Sequence, residues 1–252
     1  MRGFCLLTPP ARHARDSPPH PPTPQPHPAP TQNSGWQLGE HSLWGTHTNF
    51  DTSVHVPLMV RAPWLPASRG ARTQSATELL DLYRTVAALA GLPAPPADVE
   101  GDDVSALFAA PGAPLKTTAF AQYSRCPGER YFPTVSALPD WGLNNCEDVP
   151  VANITYMGYT VRSPEWRFTE WFFWDGQACV AEWDRPSRGV ELYNHTGHAD
   201  PGDFDNWENE NVAAENPDTV AQMRALLLAR FKTAGTGCPP DQPGSLEWPH
   251  NV

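Results

Sequence analysis

Apolar and polar positions alternate with a period of two in several short runs of the chain: Thr118–Tyr123, Tyr156–Arg162, Arg167–Trp174 and Val190–Tyr193. Alternation of this kind predicts half-buried strands. Ser163-Pro164-Glu165-Trp166 is a turn signal, so the second and third runs are expected to pair as a hairpin. Two other segments carry helical spacing. In Ser75–Ala90 the apolar residues Leu79, Leu82, Val86 and Leu89 recur on one face, Ser75 and Glu78 form a capping box, and Gly91 and Pro93 end the run. From Asn216, with Pro217 at the first helical position, Val220, Met223, Leu227 and Phe231 form a stripe that runs to about Lys232. Val54–Val60 alternates like a strand, and Pro57 places it at an edge or a bulge. The C-terminal half therefore reads as an α+β layer, antiparallel strands closed by one helix.

Proline alters this picture at the front of the chain. Of 30 prolines, 10 fall within the first 34 residues, and Ser17–Gln32 shows no apolar periodicity. Such a segment has too little to bury to offset its ordering entropy, so disorder or polyproline II is expected. An SH3-type ligand is the lesser alternative, because no basic flank stands beside a clean P-x-x-P core. The organisation expected is a proline-rich segment over 1–34, globular regions over 35–115 and 116–235, and a tail over 236–252.

The formal charge is -11, and since residues 1–34 contribute +2 the remainder carries -13. An acidic body of this kind disfavours nucleic acid and anionic lipid as partners. No window reaches the ~18 apolar residues of a membrane span. The run Phe4–Leu7 is shorter than the roughly 7–15 residues of a signal-peptide core, so no secretory signal is expected.

Candidate chemistry is sparse. His41, His47 and His55 lie close together with Glu40 and Asp51 nearby, which suits either a metal or acid–base site or a loop of hydrogen-bonded histidines. Asp200, Asp203, Asp205, Glu208 and Glu210 resemble a calcium loop in outline, but Trp207 stands where an oxygen ligand is needed, and a solvated acidic loop is the better reading. Trp166, Trp171 and Trp174 could stack on sugars, although in strands they more often belong to a core. The five cysteines have no zinc-type spacing. Cys126 and Cys146 bracket a loop rich in Pro, Gly and Asn, either as a disulfide worth about 3 kcal/mol or as two free thiols. Asn153-Ile154-Thr155 and Asn194-His195-Thr196 are glycosylation candidates that fit an oxidising compartment. There is no nucleophile elbow and no phosphate-cradling glycine loop.

A family resemblance adds to this. Gly35-Trp36-Gln37-Leu38-Gly39-Glu40-His41, continuing through Trp44, Asn49-Phe50-Asp51 and Val56-Pro57-Leu58, resembles the D-H-G-W-x-L-G-E-H-x-x-W-x-K-x-x-N-F segment of iduronate-2-sulfatase-type enzymes. Ala88-Leu89-Ala90-Gly91-Leu92, Gln122-Tyr123-Ser124-Arg125, Met157–Arg162, Arg167–Trp171, Glu191–Asn194 and Asp200-Pro201-Gly202-Asp203 follow in the family's order, so the resemblance covers about residues 35–232. It implies part of an alkaline-phosphatase-like α/β sulfatase fold, with a C-terminal α+β subdomain of antiparallel strands and one packed helix. It also implies sulfuric ester hydrolysis on sulfated uronic-acid glycans, a calcium cofactor, and a lysosomal or secreted location. In that family a formylglycine made from Cys in C-x-P-S-R attacks sulfur beside the calcium ion.

The sequence departs from this pattern at the chemistry. C-x-P-S-R does not occur. Asn33 and Ser34 stand at the family's Asp-His metal positions, and Thr46 stands at its Lys position. Trp36, His41 and His47 remain as candidate pocket residues. The expectation is a C-terminal sulfatase portion, inactive by itself, whose partner is a missing N-terminal sulfatase half. A non-catalytic glycan-binding or interaction module is the alternative.

Overall fold

The computed structural model describes residues 35–126, 146, 149–197 and 208–232, together with the backbone of 27–28. At its centre is an antiparallel sheet. Strands β5 (Ala119–Arg125), β6 (Tyr156–Arg162), β7 (Trp166–Asp175) and β9 (Gly189–Asn194) lie side by side, and the two-residue β8 (Val180–Ala181) pairs with the far end of β7. The β6–β7 hairpin closes where Ser163 Oγ accepts the Trp166 N–H at 3.1 Å.

Because side chains alternate across a strand, the sheet has two different faces. Met157, Tyr159 and Val161 of β6, Phe168 and Phe172 of β7 and Leu192 of β9 project to one side. Helix α3 (Pro217–Phe231) lies across that side and buries Met223 and Leu227 against them. Val220 and Phe231 pack at the margin, so the stripe read from the sequence is the one that docks. Asn216 starts this helix, but its side chain bonds Val212 O at 2.8 Å and makes no cap bond. Trp171 is buried, and Trp166 and Trp174 are half-buried against the core, as expected of core tryptophans. Cys126 and Cys146 form a disulfide with Cα atoms 6.0 Å apart. Cys179 is also disulfide-bonded.

The opposite face carries Arg162, Arg167, Thr169, Trp171, Glu191 and Tyr193, and segment 35–54 covers it. That segment contains a small hairpin of β2 (Gln37–Leu38) and β3 (Trp44–Gly45), then the one-turn helix α1 (Asp51–Val54). Gly158 leaves room for the Trp171 ring of the neighbouring strand, since a Cβ there would sit 2.6 Å from it.

Two expectations fail in the first globular region. Val54–Val60 is not a strand: Val54 ends α1, and only Val60–Arg61 (β4) is extended in a ladder, paired with His27–Pro28 (β1). Pro57 supplies no N–H, and Leu58, Met59 and Val60 are exposed. The predicted helix over Ser75–Ala90 shortens to α2 (Asp81–Leu89). Its capping box does not form, because Ser75 Oγ bonds Lys116 O and accepts the Lys116 N–H, while Glu78 bonds the Phe120 N–H and the Lys116 ammonium. Asp81, Thr85 and Ala87 are the buried residues, whereas Leu79 and Val86 of the apolar stripe are exposed. Asp81 is held by the Glu78 and Asp102 N–H groups and by Lys116. Burial pulls the Lys116 ammonium down, but Glu78 and Asp81 outweigh it and hold the group protonated above its ordinary value. Helix α2 ends as expected at Gly91, whose φ of 66° is left-handed.

Candidate functional site

The covered face of the sheet gathers a charged cluster from five separate stretches of the chain. Asp51, the first residue of α1, sits with Arg162 at the end of β6, Arg167 on β7, His195 just after β9, and Glu208. Arg162 Nε donates to Asp51 Oδ2 at 3.0 Å. Arg167 Nε donates to Glu208 Oε1. His195 Nε2 lies 3.0 Å from the same oxygen, and the Asp51 N–H donates to Glu208 Oε2 at 2.8 Å. Arg167, Asp51, His195 and Glu208 are all buried. Burial pushes the Glu208 carboxyl up, but Arg167, His195 and the Asp51 amide prevail and hold it at about 2.

Asp51, His195 and Glu208 are also the described residues whose ligand atoms could surround a cation, all lying within 4.8 Å of one another. The donor set does not fit calcium. Each carboxylate already contacts a guanidinium, so a divalent ion would meet two fixed positive charges in a low-dielectric interior. The arrangement is a buried ion-pair network. Asn33 and Ser34, at the family's metal positions, lie outside the described residues, as do Asp200, Asp203 and Asp205 of the acidic loop.

Beside this network is a crevice of about 220 Å³, lined by His41, Asn49, Phe50, Arg125, Arg167 and Trp171 among others. Gly39 (φ 127°) allows the β2–β3 loop to turn, and His41 itself adopts a left-handed φ of 54°. That conformation lays the His41 ring flat on Phe50, with centroids 3.8 Å apart. Gln37 Nε2 lies 3.2 Å from His41 Nδ1, and Asn49 Nδ2 donates to Gly158 O at 3.0 Å, tying the loop to the sheet. Of the three pocket candidates, only His41 lines this crevice. His47 lies beside Tyr123 with centroids 6.2 Å apart, and Trp36 is 68% exposed. Thr46 is half-buried directly after β3. Its carbonyl accepts the Thr48 N–H. Among the sequons, Asn194 is exposed and Asn153 half-buried.

The network itself was not foreseen. Its signal was present as charges placed inside apolar strand runs, Arg162 and Arg167, which must find buried partners.

No family model matches the chain. In part, the fold is shared with phosphonate monoester hydrolases of known structure. A phosphonate monoester hydrolase from Silicibacter pomeroyi superposes with a TM-score of 0.52 at 23% identity, covering 80% of this chain and 34% of that one. A second, from Agrobacterium radiobacter, gives 0.50 at 20% identity, covering 79% and 33%. In sequence the chain is similar to iduronate 2-sulfatase. It is 30% identical to the Mus musculus protein over 208 residues and 28% identical to the Homo sapiens protein over 205. Either match covers 65% of this chain and 35% of the relative, so the chain spans about a third of the length of the curated relatives it matches. The similarity to iduronate 2-sulfatase therefore extends over most of this chain but over a minority of either relative.

Proposed function

We propose that this chain is the C-terminal portion of a sulfuric ester hydrolase for sulfated uronic-acid glycans, that it acts in lysosomes or after secretion, and that alone it is inactive. The observation that carries the reading is the uneven exposure of apolar surface. Among the described residues, fourteen large apolar side chains are exposed, and twelve of them lie between residues 36 and 92. The sheet is covered on both faces, whereas α2 and the 36–60 segment present Leu79, Tyr83, Val86, Leu58 and Met59 outward. Side chains of this kind suit contact with a further layer, such as the rest of the fold in relatives of which this chain matches 35%. No C-x-P-S-R nucleophile is present and Thr46 cannot supply the family's positive charge, so the parts of the pocket that act on sulfur must come from that layer. No helix among the described residues is long and apolar enough to cross a membrane. The glycan-module alternative loses its sheet tryptophans as a platform, because Trp171 is buried and Trp166 and Trp174 pack on the core.

The test is hydrolysis of a chromogenic aryl sulfate by the purified chain with calcium present. No turnover above a buffer blank is expected, since covalent catalysis and transition-state charge stabilisation each supply several kcal/mol. Calcium-dependent turnover would overturn the proposal.

A further inference from the structure

We propose that Asn194 carries an N-linked glycan and that Asn153, the other sequon, does not. Asn194 is the last residue of β9 and is exposed, as are Thr196 and Gly197 after it. Its Oδ1 accepts the Thr196 N–H at 2.8 Å in a local turn, while its Nδ2 makes no hydrogen bond among the described residues. The middle residue of the sequon is anchored: His195 is buried on Glu208, and its N–H donates to Glu165 O at 2.7 Å. The acceptor amide is thus held outward on a rigid strand end. Across the ladder its partner is Trp166, which is half-buried against the core and leaves the strand end open.

Asn153 stands differently. It ends a 3-10 turn, Val151–Asn153, that lies so close to Gly176 that a Cβ there would meet Val151 O at 2.4 Å. The sequon threonine, Thr155, is tied to β5: its N–H donates to Arg125 O at 3.1 Å and its hydroxyl to the same oxygen at 3.4 Å. This turn is half-buried against Gly176, where a branched oligosaccharide would have to displace packed chain.

The Cys126–Cys146 disulfide suits an oxidising compartment, the kind in which such transfer occurs. The co-reactant is a polyprenyl-diphosphate oligosaccharide. Nδ2 of Asn194 bonds to C1 of its first N-acetylglucosamine, the C1–O bond to diphosphate breaks, the diphosphate leaves with the electron pair, and one Nδ2 proton passes to base. The proposal is independent of the hydrolase reading.

To test it, the full chain is secreted from a eukaryotic host behind a cleavable leader and its intact mass is measured before and after peptide N-glycosidase. One glycan is expected. It should be lost in Asn194→Gln, and also in Thr196→Ala, which leaves the asparagine in place, but kept in Asn153→Gln. A chain with no glycan, or a glycan retained in Asn194→Gln or Thr196→Ala, overturns the assignment.

Discussion

The decisive residue is Glu208, which joins three parts of the molecule distant in sequence. Its carboxylate receives the Arg167 guanidinium, the Asp51 amide and the His195 ring in a buried site. Removing one member of a buried pair leaves the other uncompensated, at a cost of about 3–5 kcal/mol. Glu208→Gln is therefore expected to lose stability of that order in urea unfolding at pH 7. The pH dependence follows from the depressed folded pKa, about 2 against an ordinary 4.5. Its stabilisation is complete above the unfolded value and is lost as pH falls from there through about 2. It should thus be intact at pH 5 and diminished at pH 3, and the variant should lack this part of the acid sensitivity. Equal stability of variant and parent at pH 7 would show the pair to be dispensable. This site was not legible in the sequence for a simple reason: Asp51 meets Arg162 and Glu208 across separations of 111 and 157 residues, and no local period records such pairs.

At the scale of elements, legibility followed what each element buries. Tyr156–Arg162 is a strand over the residues its alternation indicated, and helix α3 follows its apolar stripe, because each lays an apolar face against the other. Helix α2 misleads for the opposite reason. Its anchored face is polar, with Asp81 and Thr85 inside, so an apolar stripe marks the side turned away from this chain. Val54–Val60 misleads likewise, since its alternation is not matched by neighbouring strands over most of its length. The reading of α3 can be tested with two adjacent leucines. Leu227 is fully buried and Leu226 is 43% exposed. Leu227→Ala is expected to cost about 2–5 kcal/mol in equilibrium unfolding, because it opens a cavity under the helix. Leu226→Ala should cost well under half of that. Similar losses for the two would mean that α3 does not dock on Phe168 and Phe172 as described.

The whole molecule is uneven in what it covers. Its sheet is sandwiched between α3 and segment 35–54, while α2 and the residues around β4 present apolar side chains outward, and Trp36 and Trp44 are each 68% exposed. A difference of this kind within one chain is what the proposed fragment would show, because burying apolar surface gains roughly 25 cal/mol per Å² and folded domains hold only about 5–15 kcal/mol in reserve. The chain alone is therefore expected to bind a hydrophobic dye strongly and to self-associate in sedimentation measurements. The two effects should come from the surface named here. Replacing Leu79, Tyr83 and Val86 by serine should lower dye binding and association together, without lowering the unfolding midpoint of the sheet, since none of the three touches its core. If the unaltered chain is instead monodisperse and dye-silent and unfolds in one sharp transition, the exposed face needs no partner. The reading of this chain as part of a larger sulfatase would then fall in favour of a self-sufficient binding module.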